Sequence, residues 1–155
     1  MWYYRMGYWK FMLLKQLQRI NLNLMPEYTF EFSFTVLPEH LDQLHHVNNV
    51  VYVQWLQEAA SRHWSGNVTP DTDEKVLWVV RRHEIDYLAP AVLGDELIMK
   101  TWTGRYTAVS WDRHYEITRV SDQRKIITAK SIWVLLDSKT LKPRKIDAEI
   151  LAVLE

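Results

Sequence analysis

The sequence predicts an α+β fold in which one long helix lies against a sheet of antiparallel strands. Three observations predict it. A period-two apolar stretch comes first, a single segment with three- and four-residue apolar spacing follows near Asn48, and three strand-like runs joined by short turns come later.

In residues 28–36, Phe30, Phe32, Phe34 and Val36 fall on one side and Thr29, Glu31, Ser33 and Thr35 on the other, the alternation of a half-buried strand. Pro38 breaks that strand, and residues 39–47 form a loop rich in His and Asp. Asn48 or Asn49 can cap the next segment, because a short amide side chain accepts from the free N–H groups of a first helical turn. Tyr52, Trp55, Leu56, Ala59, Ala60 and His63 then recur at helical spacing, and Gly66 stops the helix.

Residues 70–75 read as a polar loop. Residues 76–80 and 84–88 read as strand, as two pieces or as one long strand, and Pro90 and Gly94-Asp95 mark the turn after it. Strands follow over 96–105, 108–120 and 125–136, and their short connections make a meander. Ile146, Ile150 and Leu154 recur every four residues as a short closing helix.

A chain of 155 residues with 48% hydrophobic and 25% charged residues supports one globular domain. Nineteen basic and nineteen acidic residues cancel, so no overall field favours a nucleic acid. The absence of Cys removes disulfides, thiolate metal sites and Cys nucleophiles, and it permits a reducing compartment; the expected location is cytoplasmic.

Residues 1–24 differ from the rest, with Trp2, Tyr3, Tyr4, Tyr8 and Trp9 among Arg5, Lys10, Lys15 and Arg19 and without an acid. The charges interrupt any membrane span, and no cleavage site follows, so stable membrane insertion is not expected. A basic amphipathic helix and an upstream extension both remain open. The extension is preferred, with the domain running over 25–155, because the organised pattern begins only after Met25.

Asp42 precedes Asn48 by six residues, in the loop that feeds the helix start, where free N–H groups and the helix dipole favour negative charge. A thioester carbonyl aimed at those groups would be polarised, and a nearby carboxylate could activate water or attack. Loop Asp residues also serve simply to cap turns. His40, His45 and His46 are close in sequence, yet they lack a strong ligand spacing, so no metal is expected. Glu58 is either a second carboxylate or a salt-bridged surface residue, and Tyr52 is either a core or an acyl-pocket residue. Arg81, Arg82 and His83 form a basic cluster that could meet phosphates or simply end a strand, and no serine has the context of a serine hydrolase.

The run Asp42-Gln-Leu-His-His46-Val-Asn48-Asn49-Val-Val-Tyr52-Val-Gln-Trp55-Leu-Gln-Glu58-Ala resembles the Asp-x-x-Gly-His-Val-Asn-Asn-x-x-Tyr-x-x-Trp-x-x-Glu-Ala signature of the hydroxybenzoyl-CoA thioesterase-like branch of the hot-dog superfamily. Residues 84–97, with Tyr87 and Gly94-Asp95, are similar to that family's Gly-Asp-x-Leu segment, and 129–137 to its closing strand. The resemblance implies a curved antiparallel sheet wrapped around one long helix, joined to a second copy in a homodimer or homotetramer. It further implies hydrolysis of acyl-CoA or acyl carrier protein thioesters without a cofactor.

Under that resemblance Asp42 is the general base or nucleophile, and His46 and Asn48 order the loop and helix start. Glu58 is a candidate second acid, Tyr52 and Trp55 shape the pocket, and Asn49, Arg81 and Tyr87 are further substrate contacts. Two positions depart from the family pattern: its Gly is His45 here, and an acid two residues before Asp42 is His40. Gly serves where backbone approaches a ligand or takes positive φ, so His45 bears on substrate entry. The rival readings are a hot-dog protein that binds acyl groups without hydrolysis, and a dehydratase on the same fold.

Overall fold

The computed structural model describes residues 29–154, so the expectations placed on residues 1–24 lie outside the described residues. The first strand, β1 (Phe30–Thr35), alternates in burial along its length. A single 3₁₀ turn, Pro38–His40, follows the break at Pro38. The long helix, α1 (Asn49–Ser65), has Asn48 as its cap: the side chain accepts from the Val50 N–H. Gly66 ends this helix as expected, but at φ −73° it uses no left-handed conformation.

Residues 70–75, read as loop, contain a one-turn helix, α2 (Pro70–Asp73). Thr69 caps it and Pro70 presets its first φ, signals too short for apolar periodicity to reveal. The stretch after it is one continuous strand, β2 (Val76–Tyr87), bent by a bulge between Val80 and Arg82 that leaves Arg81 as the extra residue. Three more strands follow: β3 (Glu96–Tyr106), β4 (Ser110–Arg119) and β5 (Lys125–Asp137). The closing helix, α3 (Ala148–Leu154), starts where Asp147 accepts from the Ile150 N–H.

Among the described residues five strands form one antiparallel sheet in the order β1-β3-β4-β5-β2. The meander β3-β4-β5 is the one the short turns predict. The two edge positions are not: β2 and β3 are neighbours in sequence but stand three ladder spacings apart, about 14 Å. The connection 88–95 therefore has to cross one end of the sheet. It runs past the start of α1, where Val47 N–H donates to Ala91 O at 2.9 Å.

The sheet curves around α1. Tyr52, Trp55, Leu56 and Ala59 of the helix share a core with Leu97 and Met99 of β3, Tyr115 and Ile117 of β4, and Ile127 of β5. Leu56 is fully buried, which contributes about 1.5–3 kcal/mol for that side chain alone. A second cluster, Val76, Trp111, Leu135, Ile146, Ile150 and Leu154, seats α3 at the far end. No helix among the described residues is long and apolar enough to cross a membrane.

Candidate active site

Leu41 and Val47 pair across a small hairpin, and Asp42 N–H donates to His46 O at 2.8 Å to close it. His45 N–H donates to Asp42 O at 3.1 Å, and His45 itself adopts φ 60°. This is the three-residue loop built from a turn followed by one left-handed residue, a position that Gly fills without strain. The departure noted at His45 thus falls where the backbone requires positive φ.

Asp42 is half-buried at the first corner of that loop. Its Oδ1 accepts from Leu44 N–H at 2.8 Å and His46 N–H at 3.3 Å, which fixes the plane of the carboxylate. Oδ2 has no donor among the described residues. The side chain thus both caps its own turn and leaves one oxygen free.

The loop is tied to the helix, since Asn48 N–H donates to His40 O at 2.9 Å. Val50 and Val51 N–H groups are satisfied by Asn48, through its side chain and its carbonyl. The Asn49 N–H, first in the helix, has no acceptor among the described residues and stands at the positive end of the dipole. Oxygen of a polarised carbonyl is the ligand such a group favours.

Around this point the surface is apolar. Leu44 is 73% exposed, Val50 62% and Leu88 50%, and Tyr87, Val92 and Leu93 are exposed beside them. Tyr87 reaches the helix, donating from its hydroxyl to Asn49 O at 3.4 Å. These exposed large apolar side chains form one patch beside the helix start.

Tyr52 and Trp55 are both buried, and they act on the site through packing. Trp55 meets Phe34, Tyr52 and His40 at ring separations of 4.6, 5.3 and 5.1 Å, so it wedges β1, the helix and the loop together. Burial pushes the Tyr52 hydroxyl up to about 12, so it stays protonated and is no base at neutral pH. His46 is exposed and contributes its backbone to the hairpin, with a bridge to Val92.

Two candidates sit elsewhere on the chain. Glu58 pairs with Arg62 at 2.5 Å and lies about 14 Å along the helix from Asn49, so the fold does not bring it to the helix start. Arg81 is exposed at the bulge of β2, about 20 Å along the strand from Tyr87. His40, His45 and His46 do not converge: His40 turns its ring to Trp55 and accepts from Leu37 N–H through Nδ1. Among the described residues no three His, Asp or Glu side chains are grouped to hold a cation.

Sequence reasoning missed Arg119. It pairs with Asp95 at 2.9 Å and with Asp122 at 3.1 Å, and Asp95 in turn accepts from Val92 N–H at 3.0 Å. This network pins the connection 88–95 that supports Val47 and the helix start. Gly94, at φ 81°, makes the turn that aims Asp95. The Gly94-Asp95 pair was visible in sequence, but its cation is 24 residues away.

The profile of the Thioesterase-like superfamily matches residues 36–154. The long-chain acyl-CoA thioesterase FadM of Escherichia coli (strain K12) is 31% identical over 121 residues, covering 75% of this chain and 89% of that protein. A crystal structure of a probable thioesterase from Escherichia coli superposes with a TM-score of 0.71 at 27% identity, over 80% of this chain and 97% of the other. A 1,4-dihydroxy-2-naphthoyl-CoA thioesterase from Synechocystis shares the fold at a TM-score of 0.72 and 18% identity, over 81% and 95% of the two chains.

Proposed function

This chain belongs to the thioesterase-like superfamily, and on that premise we propose that it hydrolyses acyl-CoA thioesters at the start of α1, with Asp42 as general base or nucleophile. The observation that carries the reading is the Asp42 carboxylate, held through Oδ1 by two backbone N–H groups, beside the first N–H of the helix; neither Oδ2 nor that N–H has a partner among the described residues. The thioester oxygen sits against the Asn49 N–H. Negative charge that develops on it in the tetrahedral intermediate is stabilised more than the ground-state carbonyl, which is what accelerates the step.

Asp42 then has two routes. As base it takes a proton from water, the hydroxide adds to the carbonyl carbon, and collapse expels the thiolate and leaves the free acid. As nucleophile its oxygen adds directly, the thiolate leaves, and water resolves the mixed anhydride. Tyr52, Trp55 and the Arg119 network act by holding the loop and helix start in register.

The exposed apolar surface around Leu44, Val50, Tyr87 and Leu88 supports a site completed by the acyl chain and by a second copy of the protein. The edge strand β2 supports the same arrangement, because among the described residues its outer ladder is unpaired and Leu77 and Val79 are exposed along it. The long-chain activity printed for the Escherichia coli relative makes fatty acyl-CoA the first substrate class to test, with acyl carrier protein thioesters second.

Thiol release followed with a chromogenic reagent, across short, medium, long and aromatic acyl-CoA thioesters, tests the proposal. Hydrolysis that saturates with one acyl class supports it and ranks the substrates. Silence across the acyl-CoA panel and with acyl carrier protein thioesters overturns it in favour of an acyl-binding protein.

A further inference from the structure

A cavity of about 220 Å³ lies toward the C-terminal end of α1, away from Asp42. Its wall includes Trp64, Trp78, Trp111, Trp133, Leu154 and Arg113. The proposed hydrolysis uses none of them. Trp64 and Trp78 meet edge to face at 5.8 Å, and Trp78 and Trp111 follow at 6.5 Å, so the wall is largely aromatic.

The polar groups of this wall are unevenly satisfied. Trp64 Nε1 donates to Asp73 at 2.7 Å, Trp111 Nε1 to Gly104 O at 3.2 Å, and Trp133 Nε1 to Tyr115 at 3.3 Å. The buried Trp78 Nε1 has no acceptor among the described residues. Arg113 is only 5% exposed, and no Asp or Glu among the described residues pairs with it. Its Nη1 donates to His63 Nδ1 at 2.9 Å and to Thr101 Oγ1 at 3.2 Å, both neutral acceptors. Two acids also line the cavity, but Asp112 is paired with Lys130 at 2.8 Å and Asp73 is engaged by Trp64.

A buried guanidinium without an anion is costly, and a partner that brings a negative charge offsets that cost. We propose that this cavity is a second binding site, for a small apolar monocarboxylate whose carboxylate meets Arg113 and whose body packs among the four indoles. A free acid with an apolar tail has this chemistry. So does the product of thioester hydrolysis, which would make the site a sensor of accumulated acid. Binding itself is independent of the proposed hydrolysis, since no residue is shared.

The test is calorimetric titration of the full chain with octanoate, with 1-octanol and octylamine as probes of the same tail. Octanoate should bind at least about tenfold more tightly than either, the contribution of one charge-assisted hydrogen bond. Ser61 lines the cavity from the exposed face of α1, so Ser61→Phe fills it without removing a core side chain. That variant should lose octanoate binding by about tenfold or more while thiol release and the denaturant midpoint stay at the wild-type level. Equal binding of acid and alcohol, no binding of octanoate, or binding that survives Ser61→Phe would each overturn the assignment. The last outcome would place the ligand elsewhere, as at Asp42.

Discussion

Asp42 can be separated into its structural and its chemical parts, because the two oxygens of its carboxylate have different surroundings. Asp42→Asn keeps an Oδ1 acceptor for the Leu44 and His46 N–H groups, at 2.8 and 3.3 Å in the native loop. Asp42→Ala removes it and leaves both donors without their acceptor. At about 0.5–1.5 kcal/mol per hydrogen bond, Ala should cost roughly 1–3 kcal/mol of stability, and Asn about 1 kcal/mol or less. Turnover should fall together in both, by about two orders of magnitude or more, equivalent to a loss of about 3 kcal/mol or more in the transition state. Urea midpoints give the first comparison and thiol release from the best acyl-CoA gives the second. An Asn variant that turns over at the wild-type rate would refute the chemical role and leave Asp42 as a turn cap. An Asn variant as unstable as Ala would refute the hydrogen-bond geometry instead.

His45, at φ 60°, carries the strain of a left-handed residue, so His45→Gly should equal or exceed wild-type stability. The stiff branched side chain of His45→Val should lose about 1–2 kcal/mol, and urea midpoints that fail to follow this order would contradict the loop. Burial, with Arg113 beside it, holds the His63 imidazole down to about 4, so the folded state keeps it neutral while the unfolded chain protonates near pH 6.5. The sign follows: stability is complete above about pH 6.5 and drains away as pH falls toward 4, by roughly 3 kcal/mol from this group. A His63→Gln variant whose urea midpoints decline between pH 7 and 4 as steeply as those of wild type would show that His63 is not the cause. Leu77→Lys combined with Val79→Lys places charge on the β2 edge and should convert the proposed dimer to monomer in light scattering; an unchanged mass would move the interface elsewhere.

Much of the candidate site was legible in the chain because its parts are close in sequence. The Asn48 cap, the helix it starts and Asp42 six residues earlier are fixed by local hydrogen bonds and apolar spacing, which a linear reading detects. The same holds for β1 and for the meander, whose turns are short. One-turn α2 escaped because four residues are too few for a period to register.

What only the tertiary structure decided depends on which distant groups burial brings together. The sheet order sends 88–95 across the end of the helix, and that route lets Arg119 hold Asp95 and so the site. Arg113 meets His63 fifty residues away, and its lack of an anion among the described residues emerges only once the surrounding side chains have closed on it. The chain determined its elements through neighbours within a few residues. Their packing chose the partners of the charges, because desolvation acts on whatever the completed core encloses.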